Sequence, residues 1–184
     1  KVKVLNDLVD TLKLHFYSSD LTDIEEIKNF NNLVDEFCSY KTKAQLIKNP
    51  DNQRRFVNYE FNNNKFRVMA SSQSGFNVVI QNGDLSISLL KYSEKHKNPL
   101  IKVEFRAEFL CRMGYKKAIQ SVKNLINNML QNFIIKVSEI HLAKDIQGYE
   151  FSTFDFHRVK TLSKTKTIYH NDISSEFYFG NKFT

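Results

Sequence analysis

Three side chains that could bind a divalent cation occur at alternate positions of one strand-like segment. Glu139, His141 and Asp145 fall on the same face of this segment, because successive side chains of a strand point to opposite faces. Carboxylate and imidazole groups can bind Mg²⁺ or Mn²⁺, which could polarise a phosphodiester and stabilise charge on its leaving oxygen. The alternation directs Ile140 and Leu142 the other way, toward the helices. The pattern predicts a metal site, with a solvated polar face as the alternative.

A second polar face occurs in Leu100–Phe109, which the same alternation predicts to be a strand. Glu104, Arg106 and Glu108 lie on that face. If this strand pairs with the segment that contains Glu139, Glu104 adds a metal ligand and Arg106 contacts a phosphate. Surface ion pairs between the strands are the alternative.

Other catalytic chemistries lack the residues they need. Cys38 and Cys111 have no neighbouring histidine and form no C-x-x-C pair, which disfavours zinc ribbons and thiol redox chemistry. Two cysteines also make no disulfide framework, so we expect free thiols in a cytoplasmic protein. The sequence contains no Walker A, G-x-G-x-x-G or G-x-S-x-G motif, so nucleotide-binding and α/β-hydrolase assignments are unsupported.

The charge balance favours an anionic partner. Lys and Arg number 27 against 20 Asp and Glu, a formal net charge of +7. Basic residues are interleaved with Phe and Tyr, a combination that suits single-stranded nucleic acid through phosphate contacts and base stacking. The residues that we predict to contact nucleic acid are Arg55, Arg106, Arg158, Lys160 and Lys164. A basic protein without a nucleic-acid partner is the alternative, because lysine also serves solubility.

Two helices are predicted from apolar residues at helical spacing. The first covers about 22–39 and begins with Thr22 and Glu25, which fit a capping box. The second covers Tyr115–Leu130 and has an apolar stripe formed by Ile119, Val122, Ile126 and Met129.

Strands are predicted wherever apolar and polar residues alternate. Asn62-Asn63-Asn64 and Asn82-Gly83 are turn sequences that predict two hairpins. The predicted strands are Val9–Phe16, Arg55–Phe61, Lys65–Ala70, Gly75–Gln81, Asp84–Tyr92, Leu100–Phe109, Phe133–Asp145 and Glu176–Phe179.

These elements predict a single α+β domain over residues 1–184, with a large antiparallel sheet and two amphipathic helices packed on one side. The 41% of hydrophobic residues is close to the globular average, which excludes wholesale disorder. No apolar run approaches the roughly 20 residues of a membrane helix, so we expect no membrane partner.

Two segments resemble the replication initiators of plasmids and phages that use rolling-circle replication. Val137-Ser138-Glu139-Ile140-His141-Leu142-Ala143-Lys144-Asp145 resembles the strand V-S-R-I-(D/H)-L-A-x-D of that family. The terminal sequence Phe177-Tyr178-Phe179-Gly180-Asn181-Lys182-Phe183-Thr184 is similar to its strand T-I-Y-F-G-S-R-x-S. Val9-Asp10-Thr11-Leu12 and Val103-Glu104-Phe105-Arg106 fit the same order of elements.

The resemblance implies an HUH-like, metal-dependent endonuclease that binds a single-stranded or hairpin origin and nicks one strand. A tyrosine of the family attacks the phosphodiester and becomes joined to the 5′ phosphate. His141 and Asp145 match positions associated with the metal site, whereas Glu139 stands where the family usually has Arg.

The sequence departs from this family at its end. The family's tyrosine lies in an R-x-Y-x-K-like motif after the turn that Gly180 begins, and the chain stops at Thr184 before such a motif. Tyr149, Tyr169 and Tyr178 do not match it, so the catalytic residue is unassigned. We expect either a fragment of a nicking enzyme or a non-catalytic module that binds nucleic acid or protein. A homodimer is left open.

Overall fold

The computed structural model describes residues 3–19, 22–48, 54–94, 98–148, 166–170 and 175–179. These residues belong to two units, and each is described by itself. One unit covers residues 6–144. The other includes residues 3–5 and 145–148 and two short strands near the end of the chain.

Nine strands and three helices occur in the described ranges. In chain order they are β1 (Lys3–Ser18), α1 (Ile24–Leu46), β2 (Phe56–Phe61), β3 (Asn64–Met69), β4 (Val78–Gln81), β5 (Leu85–Leu89), β6 (Ile101–Phe105), α2 (Ala107–Met113), α3 (Tyr115–Asn127), β7 (Phe133–Gln147), β8 (Lys166–His170) and β9 (Ser175–Phe179).

Seven strands form one antiparallel sheet in the order β2-β3-β4-β5-β6-β1-β7. Strands β2 to β6 form a meander, and β1 lies between β6 and β7. If the additional strands β2, β3 and β4 and the short helix α2 are set aside, the order along the chain is β-α-β-β-α-β, the split βαβ motif. The predicted α+β class with a large antiparallel sheet is confirmed.

The core lies between the helices and one face of the sheet. Alternate residues of the strands point into it, so Phe16 of β1, Ile87 of β5 and Val103 of β6 are fully buried. Phe37 of α1 and Val122 of α3 pack into the same cluster. The opposite face of the sheet, which we call the open face, carries the polar members of the alternation.

The two predicted helices are present with different ends. Helix α1 begins at Ile24 and continues to Leu46, beyond the predicted end at residue 39. Its N-cap is Asp23 rather than Thr22, and the Asp23 side chain accepts a hydrogen bond from the backbone N–H of Glu26 at 2.9 Å. Helix α3 ends at Asn127, although Met129 beyond it is still buried.

The prediction of one strand over Leu100–Phe109 is wrong in its second half. Strand β6 ends at Phe105, which is paired with Leu85, the first residue of β5. The backbone N–H of Arg106 still bonds to the carbonyl of Asp84, but the chain of β5 turns away there. Without a partner strand, the chain continues as the short helix α2. The apolar spacing between Phe105 and Phe109 also suits a helix, and their rings stack at 6.3 Å.

Both predicted hairpins are present. Asn62 and Asn63 connect β2 to β3 with φ values of 49° and 60°, which asparagine tolerates better than most residues. In the second hairpin the Oδ1 of Asn82 accepts hydrogen bonds from the backbone N–H groups of Asp84 and Leu85. The strands there are shorter than predicted, because β4 begins at Val78 and β5 ends at Leu89.

Strand β7 changes its alternation part of the way along. Lys136 Nζ lies 4.9 Å from the ring centroid of Tyr17, and Glu139 bonds to Lys13 on the same face of β1. A regular strand places residues three apart on opposite faces. These two contacts show that the alternation shifts by one residue between Lys136 and Glu139.

The predicted packing of Ile140 and Leu142 against the helices is wrong. Their side chains are 51% and 77% exposed. Because Glu139 bonds to Lys13, the residues after Glu139 run beside the part of β1 that precedes Leu12. Among the described side chains of β1, Leu12, Leu14 and Phe16 are fully buried, whereas Val9 is only partly buried.

In the other unit, β8 and β9 form an antiparallel hairpin in which Lys166 is paired with Phe179 and His170 with Ser175. Strand β9 corresponds to the predicted Glu176–Phe179, whereas β8 was not predicted.

Candidate nucleic-acid interface

The register of the strands aligns a polar row across the open face. Neighbouring residues of this row are Cα partners in the strand register. From β2 to β1 the row contains Asn58, Arg67, Gln81, Ser86, Glu104 and Lys13. Residues from six strands are therefore brought to one surface.

The next row contains Ser88, Lys102 and His15, which are also matched by register. Burial and, secondly, the charge of Lys102 lower the pKa of His15 below its ordinary value. His15 is therefore neutral at physiological pH and adds no positive charge to the open face.

Two of the predicted metal ligands, Glu139 and His141, lie side by side. The Nε2 of His141 is 3.3 Å from one carboxylate oxygen of Glu139. The other oxygen accepts a hydrogen bond from Lys13 Nζ at 2.8 Å. This bond is the largest cause of a lowered pKa for Glu139, to which the charges of Lys13, His141 and Lys102 also contribute. Glu139 is thus ionised and already has a cationic partner.

The other two predicted metal ligands do not complete a site. Glu104 lies on β6, and β1 separates β6 from β7, so the strand pairing on which its role as a ligand depended does not occur. The side chain of Asp145 lies outside what the structure describes. Within the described ranges, no three His, Cys, Asp or Glu side chains form a group that could hold a metal.

The predicted polar face of Glu104, Arg106 and Glu108 is also wrong. Only Glu104 belongs to the strand, whereas Arg106 precedes α2 and Glu108 lies in its first turn. Glu108 instead lies 4.0 Å from Arg112 on the same helix.

Replacing Lys13 with Met should raise the pKa of Glu139 toward its ordinary value of 4.5. Because the folded-state pKa is lowered, the pair stabilises the fold above pH 4.5, and this stabilisation is lost as the pH falls through the folded-state pKa. The variant should therefore lose less stability than the wild type across this acid range. NMR titration of the Glu139 carboxyl measures the shift, with Lys117→Met as the control. An unchanged titration would contradict the assigned role of Lys13.

A large cavity of the open face lies over β2 and β3. It has a volume of about 820 Å³. Its cationic lining residues are Arg54, Lys65, Arg67 and Arg106, against one carboxylate, Glu60. Glu60 is paired in register with Lys65 across the hairpin, so this carboxylate has a cation beside it. The cavity therefore has an excess of positive charge.

Aromatic and apolar groups lie among these cations. The guanidinium carbon of Arg67 is 4.7 Å from the ring centroid of Phe56, a cation–π contact. Phe56 is paired with Met69 across the hairpin, and Met69 is almost fully buried beneath the cavity. The cavity therefore offers a flat surface on which a planar ligand can stack and cations that can bind its negative charge.

Two further cavities adjoin the first one and share Arg54 and Met69 with it. The smaller, about 280 Å³, also shares Arg106 and is lined by hydroxyl and amide groups, including Ser88 and Gln73, which are hydrogen-bonded to each other at 3.1 Å. The other, about 470 Å³, is lined by Arg55. Arg54 thus lies where the three cavities meet.

The arginines of the large cavity differ from Arg112 on α2 in their ion pairing. Arg112 pairs with Asp84 at 2.6 Å. By contrast, Arg54, Arg67 and Arg106 make no ion pair with any residue that the structure describes. Unpaired guanidinium groups around a cavity are available to an anionic ligand.

Two of the five residues that were predicted to contact nucleic acid line these cavities. Arg106 lines two of the cavities, and Arg55 lines the third while its Nη1 donates to the carbonyl of Gln45 at 2.8 Å. Arg158, Lys160 and Lys164 lie outside the described residues.

Arg67 was not predicted from the sequence, although the sequence contains the signal for it. The Asn62–Asn63 turn fixes the hairpin register, which places Arg67 opposite Asn58 and on the same face as Phe56. Reading that register would have predicted the cluster.

No family model matches the chain, and comparisons with curated proteins and with solved structures return no match either. The resemblance to rolling-circle initiators stays a prediction. Within the described ranges, none of the three helices has the length and apolar character needed to cross a bilayer.

Proposed function

We propose that the open face of the seven-stranded sheet binds single-stranded DNA. The observation that carries this proposal is the placement of Arg54, Arg67 and Arg106 around one cavity, where they make no ion pair with any described residue. Phosphates of a DNA strand would satisfy these guanidinium groups, and Phe56 provides a ring on which a base can stack. A single strand fits better than a duplex, because its bases are free to reach the ring inside the cavity.

The biological setting that we propose is the initiation of rolling-circle replication of a plasmid or phage. Support comes from the sequence similarities at Val137–Asp145 and Phe177–Thr184. The β-α-β-β-α-β order and the antiparallel sheet are compatible with an HUH-like fold. The proposal includes a cytoplasmic location, in keeping with the free thiols of Cys38 and Cys111. A measurement of the molecular mass in solution would show whether the protein is a homodimer.

Metal-dependent nicking of the bound strand is the second candidate function. The observation that favours it is the contact of His141 with Glu139, whose carboxylate also bonds to Lys13 of the polar row. A divalent cation there would supply charge stabilisation for a leaving oxygen. It would have to displace Lys13 from Glu139 and gain further ligands, so the described residues alone do not make a complete site.

The metal hypothesis predicts that His141→Ala weakens Mn²⁺ binding by more than about tenfold, because losing even a group that only orients a ligand costs 10–100-fold in metal affinity. Isothermal titration calorimetry of both proteins measures this difference. His15→Ala is the matched control, because His15 is the other described histidine of the open face and is not in the proposed site. Equal affinity of wild type and His141→Ala would remove His141 from any metal site.

A non-catalytic module that binds nucleic acid would use the same surface without the metal. Titration of a fluorescein-labelled oligothymidylate at several salt concentrations, followed by anisotropy, tests the binding that both candidates require. Binding that weakens steeply with salt is expected, because phosphate contacts release counterions.

A further inference from the structure

We propose that the large cavity over β2 and β3 holds one nucleotide of the bound strand. In this arrangement the base stacks against the Arg67–Phe56 pair, and the phosphate lies between Arg54 and Arg106. The proposal rests on the proposed function and adds a defined base-binding position to it.

The dimensions and lining of the cavity suit a nucleotide. Its volume of about 820 Å³ falls within the 300–1,000 Å³ that is typical of small-molecule sites. Met69, which is buried, supplies an apolar floor, and the cations lie among exposed residues above it. A base needs an apolar surface and a phosphate needs a charged rim, and this cavity offers both.

The contact between Arg67 and Phe56 is the feature that selects a base. Because the guanidinium group lies over the Phe56 ring at 4.7 Å, it is held there before any ligand arrives. Both aromatic rings and arginine guanidinium planes are surfaces on which unpaired bases stack. An inorganic phosphate or a bare sugar–phosphate chain would make no use of this pair.

The phosphate position follows from the two arginines that the first two cavities share. Arg54 and Arg106 line both of them, so they lie at the passage from one to the other. Two guanidinium forks there can each donate two hydrogen bonds to a phosphate. Glu104 lines the smaller cavity and would repel a phosphate placed inside it. The phosphate is therefore expected between Arg54 and Arg106, where the two cavities meet.

The test compares a short oligothymidylate with an abasic deoxyribose–phosphate strand of the same length. Wild type should bind the oligothymidylate more tightly. Phe56→Ala should weaken oligothymidylate binding by about tenfold, in line with the loss of one stacked base, and leave binding of the abasic strand unchanged. Arg67→Lys keeps the charge but loses the planar group, so it should also weaken only the strand with bases.

The control is Tyr115→Ala. Tyr115 is an exposed ring on α3 with Lys116 above it at 6.0 Å, a matched cation–aromatic pair away from the cavity. This variant should bind both strands like wild type. Thermal unfolding of each variant checks the fold, and Arg67→Lys remains informative if Phe56→Ala unfolds.

The other outcomes overturn either the base-binding position or the proposed function. Full oligothymidylate affinity in Arg67→Lys and in folded Phe56→Ala would overturn the base-binding position while leaving the proposed function intact. An equal loss on both strands would show that the cavity takes only sugar and phosphate, which also overturns it. No binding of either strand by wild type would overturn the proposed function itself.

Discussion

Replacing both Arg54 and Arg106 with Gln should weaken the binding of single-stranded DNA by about a hundredfold. Each guanidinium group can donate charge-assisted hydrogen bonds to a phosphate, and such bonds contribute about 1.5–3 kcal/mol. Since about 1.4 kcal/mol corresponds to a factor of ten in affinity, two lost contacts account for at least that effect. Neither arginine has an ion-pair partner in the described ranges, so their removal leaves no carboxylate orphaned.

The matched control is Lys28→Gln with Lys117→Gln. These lysines are exposed on α1 and α3, which pack on the opposite side of the sheet, and their removal changes the net charge by the same amount. The control should retain most of the affinity for a labelled oligothymidylate. If it loses as much affinity as the arginine variant, the binding depends on net charge and not on the open face.

Replacing Phe37 with Ala should destabilise the fold by about 3–5 kcal/mol, the usual cost of emptying a buried phenylalanine site. Phe37 is fully buried on α1 and makes edge-to-face contacts with the rings of Tyr59 and Phe61 at 5.1 and 6.1 Å. Both rings belong to β2, so this residue attaches the hairpin of β2 and β3 to the helix layer. The hairpin carries Phe56 and Arg67 on its other face, and DNA binding should weaken when it loosens.

Urea unfolding measures this loss, with Ile24→Ala as the control. Ile24 is also on α1 but is 78% exposed, so its truncation should change the free energy of unfolding by less than about 0.5 kcal/mol. Similar unfolding free energies for Phe37→Ala and wild type would contradict the assignment of Phe37 to the core.

Local signals in the sequence predicted most of the elements but not all of their ends. The asparagine turns gave both hairpins, because their conformational preferences act over a few residues. The apolar residues of 100–109 misled the strand prediction, since Phe105 and Phe109 fit either alternation or helical spacing. The end of β6 depends on where β5 begins, and local periodicity carries no information about a partner strand.

The composition of the candidate site depends on the order of the strands in the sheet, and local sequence patterns do not reveal that order. Glu139 and His141 were predicted to share a face, and they lie in contact. Lys13 was not predicted beside Glu139, because the two residues are far apart in sequence and meet only when β1 enters between β6 and β7. The same insertion separates Glu104 from the other predicted metal ligands.

The salt dependence of oligothymidylate binding tests the central claim, that the open face binds single-stranded DNA, most directly. If Arg54, Lys65, Arg67 and Arg106 each neutralise one phosphate, these four residues contribute a slope of about −3 in log K against log salt. Arg54→Gln with Arg106→Gln should make the slope shallower by about 1.4. A wild-type slope near zero, or a slope that the double substitution leaves unchanged, would contradict the claim.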